Sequence, residues 1–194
     1  MNILIVGATR GIGRQVLEHA LASGENVTAL VRDPQRLATQ HERLRVVKGD
    51  ILDANSVAVA MDGQNAVCCS IGVKAPWPII TVFSEGTKNL LRAMKQAGVK
   101  RLICVTGIGA GDSRGHGGFF YDRVFYPLVA RPIYADKDRQ ESLIRASDVD
   151  WTIVRPGFLT NGPMTRSYRA LTDLTGVTAG WISRADVAHF ILTE

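Results

Sequence analysis

Short apolar runs alternate along the chain with longer segments in which apolar residues recur every three to four positions. The short runs are rich in β-branched residues and indicate buried strands, whereas the longer segments indicate amphipathic helices. Strands are predicted at Asn2–Val6, Asn26–Val31, Leu44–Lys48, Ala66–Ser70, Arg101–Thr106 and Asp150–Val154. Helices are predicted at Ile12–Ala22, Pro34–Ala38, Asn55–Met61, Ile79–Gln96, Asp136–Ala146 and Arg184–Leu192.

The alternation predicts an α/β fold. Six strands joined by helices are typical of a Rossmann-type, doubly wound parallel sheet with helices on both faces, a three-layer α/β/α arrangement. The 194 residues correspond to a single domain, since domains contain about 100 to 200 residues. Two long segments, 107–132 and 156–180, are expected to be substrate loops. The aromatic run Phe119–Tyr126 can form an apolar lid, pack a short helix or make a dimer contact.

A glycine-rich turn follows the first strand directly. Glycine permits a tight turn and a close approach of the backbone to a pyrophosphate, whose charge the free N–H groups and the positive end of the next helix stabilise. Because the glycines stand between a strand and a helix, they predict a dinucleotide-binding loop. The expected cofactor contacts in this loop are Gly7, Thr9, Arg10, Gly11, Ile12 and Gly13.

The end of the second strand indicates which dinucleotide binds. An acidic residue there hydrogen-bonds a ribose 2′-hydroxyl, whereas arginine accommodates a 2′-phosphate. Arg32 occupies this place, and Arg10 and Arg36 can join it around the phosphate or remain solvated surface charges. NADP is therefore favoured and NAD is less expected, although Asp33 beside Arg32 leaves dual specificity open.

Three further strand ends belong to the predicted cofactor site, since ligands of open α/β sheets bind at the carboxyl ends of the strands. After the third strand, Asp50 can accept from the adenine amino group while Ile51 covers the ring, or Asp50 can act only as a helix cap. After the fourth strand come Ser70, Ile71 and Gly72, and the fifth ends at Thr106 and Gly107. The fourth and fifth strand ends are expected to border the nicotinamide.

Composition narrows the partners of such a fold. Hydrophobic residues make up 46% and charged residues 21%, as in ordinary globular domains. The apolar runs are far shorter than the roughly 20 residues of a membrane helix, and the amino terminus lacks the basic region of a secretion signal. We therefore expect a cytoplasmic protein with no membrane partner.

The net charge of +5 does not by itself indicate nucleic acid. The basic residues are scattered and form no basic block with interleaved aromatic residues, so an anionic small molecule explains the balance better than a nucleic acid. Cys68, Cys69 and Cys104 lie in apolar runs without metal-ligand spacing, so no metal site is expected.

Six stretches resemble the short-chain dehydrogenase/reductase superfamily, specifically its atypical branch of NmrA-like and biliverdin reductase B (flavin reductase)-like proteins. They are Gly-Ala-Thr at Gly7, Val-Thr-Ala-Leu-Val-Arg-Asp at Val27, Gly-Asp-Ile at Gly49, Ser-Glu-Gly-Thr-Lys-Asn at Ser84, Ala-Gly-Val-Lys-Arg at Ala97 and Trp-Thr-Ile-Val-Arg-Pro-Gly at Trp151. The resemblance implies NADP bound by the glycine loop and Arg32. It also implies an acceptor site between the fifth-strand loop and the residues Pro156, Gly157, Phe158 and Leu159.

The resemblance is incomplete at the catalytic residues. Core members of the superfamily use Tyr-x-x-x-Lys, but here Tyr134 and Lys137 are only three positions apart. Lys137 and Glu141 match the Lys-x-x-x-Glu spacing that follows in the family, and this resemblance implies a cofactor role for Lys137. Tyr134 either reaches the site from a loop or is a partly buried loop aromatic. Thr106 matches the family's Ser or Thr, and Gly107 falls where flavin-reductase relatives tend to carry serine.

Two functions fit these features. The first is an NADP(H)-dependent oxidoreductase that reduces a planar acceptor such as a flavin, a quinone or a related conjugated carbonyl compound. Stacking over the nicotinamide supplies most of what such a reaction needs, so a dedicated proton donor is not obligatory. The second is an NmrA-like, non-catalytic redox sensor that binds NADP and acts through a protein partner. A monomer or a homodimer is compatible with either function.

Overall fold

The central sheet of the protein, seen in a computed structural model that describes residues 1–73 and 80–194, is six-stranded and parallel. Its strands are β1 (Asn2–Val6), β2 (Asn26–Val31), β3 (Leu44–Lys48), β4 (Ala66–Cys69), β5 (Arg101–Val105) and β6 (Asp150–Val154). Their spatial order is β3-β2-β1-β4-β5-β6. This is the strand order of the Rossmann fold, so the predicted fold class is confirmed.

Helices cover both faces of the sheet. They are α1 (Gly11–Ala22), α2 (Ala54–Met61), α3 (Val82–Ala97), α4 (Arg131–Arg145) and α5 (Arg184–Thr193). Successive side chains of a strand point to opposite faces, and β1 shows the result. Ile5 packs with α1 and α5 in one apolar cluster, whereas Leu4 packs with α2, α3 and α4 in the other. The predicted three-layer arrangement is therefore confirmed.

Local chemistry fixes the ends of several helices. The Asp53 side chain accepts from the backbone N–H groups of Asn55 and Ser56 at the start of α2. Ser183 accepts from the Asp186 N–H at the start of α5. Gly98 ends α3 with φ +72°, a conformation that glycine adopts without steric cost. These side chains and this glycine therefore mark where α2 and α5 begin and where α3 ends.

Most predicted elements agree with the structure to within one or two residues, but the helix predicted at Pro34–Ala38 is only a 3₁₀ turn, Pro34–Arg36. Asp33 caps this turn by accepting from the Gln35 N–H, and Leu37 already has an extended backbone. The helix predicted at Ile79–Gln96 is α3, which begins at Val82; Ile79 lies outside the described residues.

The prediction that 107–132 is a loop was wrong in its second half. A short 3₁₀ helix at Gly111–Ser113 is followed by a π-helix at Tyr121–Ala130 that leads directly into α4. Prolines normally interrupt a helix, but Pro132 lies in the first turn of α4, where no N–H is needed. Pro127 lies where the helix widens to i-to-i+5 bonding. Consequently α4 begins at Arg131 rather than at Asp136.

The segment 156–180 contains a strand that the sequence did not indicate. β7 (Phe158–Thr160) pairs in parallel with β8 (Trp181–Ser183) to form a separate two-stranded sheet. Strands of three residues are too short to show a period-two pattern. Within the described ranges, no helix combines the length and the apolar character needed to cross a membrane.

Candidate functional site

The loops after β1 and β4 meet at the point where the strand order reverses. In open α/β sheets, ligands bind in the crevice at such a switch point. Gly7 has φ +96°, and a β-carbon added there would lie 2.3 Å from the Ser70 carbonyl oxygen. A β-carbon at Gly13 would lie 2.4 Å from the Gly7 carbonyl oxygen. Both glycines are therefore required by close backbone contacts.

The amino terminus of α1 is open to an anion. Arg10 occupies the N-cap position without a side-chain cap, and the first turn contains no acidic residue. Gly11 has φ +61°, and the nearest atom to a β-carbon added there is Arg184 Nε at 3.9 Å. Exposed N–H groups and the positive end of a helix fit a dinucleotide pyrophosphate. Ile12 is buried in the core, so only its backbone can contribute.

Of the three candidate arginines, Arg10 has a side chain that is directed by a hydrogen bond. Arg10 donates through Nη2 to the Gly72 carbonyl oxygen at 3.3 Å, which directs its side chain to the β4 end of the crevice. Arg32 and Arg36 are exposed and follow β2. Asp33 is held by its own turn, because its carboxylate accepts from the Gln35 N–H at 3.1 Å. The β2 end therefore presents two cations beside a carboxylate that already has a partner.

The residues after β3 were predicted to contact the adenine ring, and the structure shows which of their side chains are exposed. The Asp50 carboxylate accepts from the Leu52 N–H at 3.0 Å and remains only partly buried. Ile51 is 6% exposed and packs against Gly86 of α3, so most of its side chain faces the core rather than the edge where adenine is predicted to bind. Leu52 is 50% exposed and is the apolar side chain available at this edge.

Tyr134 and Lys137 come together at the end of β5. A β-carbon added at Gly107 would lie 2.8 Å from the Tyr134 hydroxyl and 3.7 Å from Lys137 Nζ. Lys137 Nζ donates to the Thr106 carbonyl oxygen. Because α4 begins at Arg131, Tyr134 is a helical residue one turn before Lys137 rather than a loop aromatic. The two side chains converge although they are one residue closer in sequence than Tyr-x-x-x-Lys requires.

Burial changes the acid–base chemistry of this pair. Desolvation lowers the pKa of Lys137 to about 8, and the neighbouring Cys104, Glu141 and Cys69 only partly oppose that shift. Desolvation raises the pKa of Tyr134, and a hydrogen bond with Tyr121 adds to the shift. At neutral pH the site therefore holds a neutral phenol beside an ammonium that loses its proton more readily than an ordinary lysine.

The hydroxyl of Thr106 belongs to a buried ion-pair network rather than to this pair. It donates to Glu141 Oε1 at 2.7 Å, and Arg155 donates from Nε to the same oxygen at 3.0 Å. Arg155 also binds Asp112, a residue of the 107–132 segment. Thr106 thus presents its carbonyl oxygen to Lys137, while its hydroxyl helps to fix α4 against the end of β5.

A chain of aromatic rings leads from the small sheet to this pair. The Trp181 and Phe158 centroids are 5.2 Å apart, and those of Phe158 and Tyr121 are 5.4 Å apart. Tyr121 and Tyr126 are 6.4 Å apart, and Tyr126 lies 5.4 Å from Tyr134. The sequence reasoning did not single out Tyr121 or Tyr126 for the site. Both belong to the aromatic run, but their inward direction depends on the unforeseen π-helix.

The rings of Tyr121, Tyr126 and Tyr134 converge on the backbone of Gly109, which we call the glycine floor. A β-carbon added at Gly109 would contact the rings of Tyr134, Tyr121 and Tyr126 at 3.4, 3.5 and 3.5 Å. Larger residues at this position would push the rings outward. The floor and the rings together form an apolar, aromatic-lined wall next to Gly107.

The predicted acceptor segment Pro156–Leu159 packs beside this wall. The Pro156 carbonyl oxygen accepts from the Ile108 N–H at 3.1 Å. A β-carbon on Gly157 would lie 2.4 Å from the Gly180 carbonyl oxygen, so β7 and β8 require glycine here. Phe158 joins the aromatic chain, whereas Leu159 packs against the core. Phe158 is thus the apolar side chain of this segment that faces the site.

A cleft of about 890 Å³ adjoins the same segment. Its walls come from β6, α5 and residues 160–183, and it reaches the acceptor region through Ile108, Pro156 and Gly157. His116 lines it and is fixed by a 2.8 Å contact between Nδ1 and the Val177 carbonyl oxygen. Lys137 and Tyr134 do not line this cleft, so its volume does not by itself define the acceptor position. Within residues 1–73 and 80–194, no group of three or more His, Cys, Asp or Glu side chains is arranged to hold a metal ion.

Comparison with known proteins agrees with this geometry. The model of an NAD(P)H-binding family matches residues 7–194, so the chain belongs to that family. An uncharacterised chloroplastic protein of Arabidopsis thaliana is 30% identical over 177 residues, covering 84% of this chain and 61% of that protein. The chain therefore spans about three-fifths of the length of this relative.

Two solved structures resemble the fold closely. The anaerobilin reductase ChuY of Escherichia coli O157:H7 superposes with a TM-score of 0.84 at 26% identity, covering 100% of this chain and 89% of that one. A short-chain dehydrogenase/reductase of Veillonella parvula in complex with NADP gives a TM-score of 0.82 at 18% identity, covering 98% and 85%. The second likeness concerns the fold alone. Together with the family match, these findings describe an NAD(P)H-binding domain with a Rossmann-type fold.

Proposed function

We propose that this protein is an NADPH-dependent reductase of a planar acceptor such as a flavin, a quinone or a related conjugated carbonyl compound. The observation that carries the proposal is the convergence of Tyr134 and Lys137 on Gly107, at the strand edge next to the switch point. A reductase of such an acceptor needs a dinucleotide and a surface for the acceptor, and a group that manages protons assists the transfer. Candidates for all three lie at the carboxyl ends of the parallel strands.

The glycine loop and the β2 end would hold the dinucleotide. Gly7, Gly11 and Gly13 leave the amino terminus of α1 open to the pyrophosphate, and Arg32 with Arg36 would bind a 2′-phosphate. Lys137 would hold the nicotinamide ribose. The bound NADPH supplies the hydride, which is the chemistry that the side chains themselves lack. NAD is the less favoured cofactor because arginine stands at the position where an acidic residue selects it.

Tyr134 and Lys137 would manage the proton. The raised pKa of Tyr134 keeps its hydroxyl protonated, so that it can donate a hydrogen bond to an acceptor oxygen or nitrogen. Lys137, with a pKa of about 8, can return a proton to the site near neutral pH. The Tyr134 hydroxyl also occupies the space of a side chain at position 107, where flavin-reductase relatives tend to carry serine.

The aromatic wall favours a planar acceptor. Tyr121, Tyr126 and Phe158 offer ring surfaces that can stack on a conjugated system, and the absence of a side chain at Gly109 lets the tyrosine rings pack close to the backbone. The similarity to a reductase of known structure supports the same class of substrate.

Turnover tests this proposal directly. NADPH oxidation is followed with panels of free flavins and soluble quinones, using the wild type, Lys137→Met, Tyr134→Phe and the control Lys88→Met. Lys88 is an exposed lysine of α3 that pairs with Glu85 at 2.8 Å. We expect Lys137→Met to lower kcat about tenfold or more and the control to leave it unchanged.

The pH profile separates a proton donor from a residue that only supports the fold. In the wild type, we expect kcat to fall as pH rises through about 8, because the Lys137 ammonium is lost. This limb disappears in Lys137→Met. Tight NADPH binding without turnover of any acceptor would contradict the reductase and favour a non-catalytic sensor.

Cofactor choice has its own test. Arg32→Ala is expected to weaken NADP binding by about 1 to 3 kcal/mol, the range of a charged hydrogen bond, and to leave NAD binding unchanged. Arg45→Ala is a matched control, because Arg45 lies on β3 and donates to the Val59 carbonyl oxygen at 3.1 Å. Equal losses for NADP and NAD in Arg32→Ala would refute the 2′-phosphate role.

A further inference from the structure

The π-helix carries a strongly exposed apolar surface on its outer side. Since its hydrogen bonds run from i to i+5, residues four and five apart share a face. Phe120, Val124 and Leu128 share the outer face and are 72%, 38% and 77% exposed. Phe119, Phe125 and Val129 extend this surface at 83%, 43% and 39% exposure. We call these six residues the apolar stripe.

The inner face of the same helix is already occupied. Tyr121 and Tyr126 contact the glycine floor, and Ala130 is buried. The helix therefore carries apolar side chains on both its inner and its outer side, and the protein covers only the inner side. Surface apolar residues are common singly, but a contiguous group of this size marks an interaction surface.

The charges around the apolar stripe are mainly positive. Arg123 and Arg131 are exposed on the same helical segment, and Asp122 is the acidic residue between Phe119 and Arg131. Phe and Leu flanked by arginine are residues of helices that lie in a membrane interface.

The shape of the stripe also favours a lipid surface. Side chains that are more than 70% exposed, such as Phe119, Phe120 and Leu128, project from the protein and touch little of it. Projecting side chains enter a deformable acyl layer without needing a complementary groove. The net charge of +5 adds attraction to anionic headgroups.

We propose that the apolar stripe docks this protein onto the surface of an anionic lipid bilayer, with the π-helix lying in the interface. The helix does not span the membrane; it inserts the side chains of one face. This departs from the sequence expectation of no membrane partner. It goes beyond the proposed reductase activity and does not depend on it, because attachment requires neither cofactor nor acceptor.

Vesicle flotation tests the proposal. The full chain is mixed with vesicles of phosphatidylcholine alone or of phosphatidylcholine with phosphatidylglycerol, and the bound fraction is measured. The wild type is expected to float with the anionic vesicles, and less so with the neutral ones or at high salt. Phe120→Asp combined with Leu128→Asp is expected to lower partitioning by more than about a hundredfold. The control Val59→Asp, at a 56% exposed position of α2, should bind as the wild type does.

Two measurements keep the outcomes distinct. Thermal unfolding of each variant shows that the fold is intact, so a loss of flotation reports the surface itself. Light scattering after size-exclusion chromatography reports the oligomeric state. Absence of flotation, or equal flotation of the double variant, would overturn the proposal. A wild-type dimer that becomes a monomer in the double variant, without vesicle binding, would assign the stripe to a second copy of the chain instead. Failure of NADPH turnover with vesicle binding retained would affect only the reductase proposal.

Discussion

Replacement of Lys137 by methionine is expected to change how the stability of this protein depends on pH. Lys137 Nζ donates to the Thr106 carbonyl oxygen, 5.3 Å from the centroid of the Phe83 ring. Burial in these surroundings penalises the ammonium form. Methionine keeps an unbranched stem of similar length and removes the titrating amine, so the comparison isolates the cost of the charge.

The magnitude follows from the pKa of Lys137, which is lowered from 10.5 to about 8 in the folded protein. Between these two values the unfolded chain binds a proton that the native state does not, so the free energy of unfolding rises with pH. Above about pH 10.5 the lysine is neutral in both states and the burial cost is absent. Below about pH 8 it is charged in both states and the cost is complete. The whole window corresponds to about 3 kcal/mol.

Urea unfolding followed by circular dichroism measures this effect at about pH 7 and at about pH 10.5. The wild type should gain about 3 kcal/mol relative to Lys137→Met between the two conditions. Lys88→Met, at an exposed lysine of α3, is the control and should alter stability by less than about 0.5 kcal/mol. A wild-type-minus-variant difference that is the same at both pH values would refute the assignment of a buried ammonium.

Two further substitutions test the frame of the site. Gly7→Ala should abolish dinucleotide binding and lower stability, because the added β-carbon meets the Ser70 carbonyl oxygen. The control Gly63→Ala, also at positive φ but with open space around it, should retain binding. Calorimetry measures the binding and thermal unfolding measures the stability; equal effects of the two substitutions would mean that backbone strain alone is responsible. Glu141→Gln should cost about 3 to 5 kcal/mol in urea unfolding, because it removes the buried negative charge beside Arg155 and leaves only the exposed Asp112 carboxylate to pair with the guanidinium. Glu18→Gln, in an exposed pair, should cost less than about 1 kcal/mol. A small loss at Glu141 would contradict the network role.

Strands and crossover helices were predictable because each is long enough to show its period. β1 and β2 were placed to the residue, and the glycines between β1 and α1 indicated the crevice before the sheet order was known. The π-helix was not predictable. Its apolar residues recur at four and five positions rather than at the three and four of an α-helix, and Pro127 indicates a break.

The same error affected the candidate site. With Asp136 taken as the start of the helix, Tyr134 belonged to a loop and its distance from Lys137 was undefined. Once α4 begins at Arg131, spacing on one helix places both side chains over Gly107. Ile51 shows that the position of a residue in the sequence does not fix the direction of its side chain. Its position after β3 suggested a ligand contact, but tertiary packing against Gly86 decides where its side chain lies.

Calorimetric titration with NADPH, NADP, NADH and NAD measures the cofactor preference on which the proposed activity depends. We expect roughly micromolar or tighter binding of the two phosphorylated forms and at least about tenfold weaker binding of the other two, a difference of about 1.4 kcal/mol or more. No binding of any dinucleotide, or equal affinity for all four, would contradict this expectation.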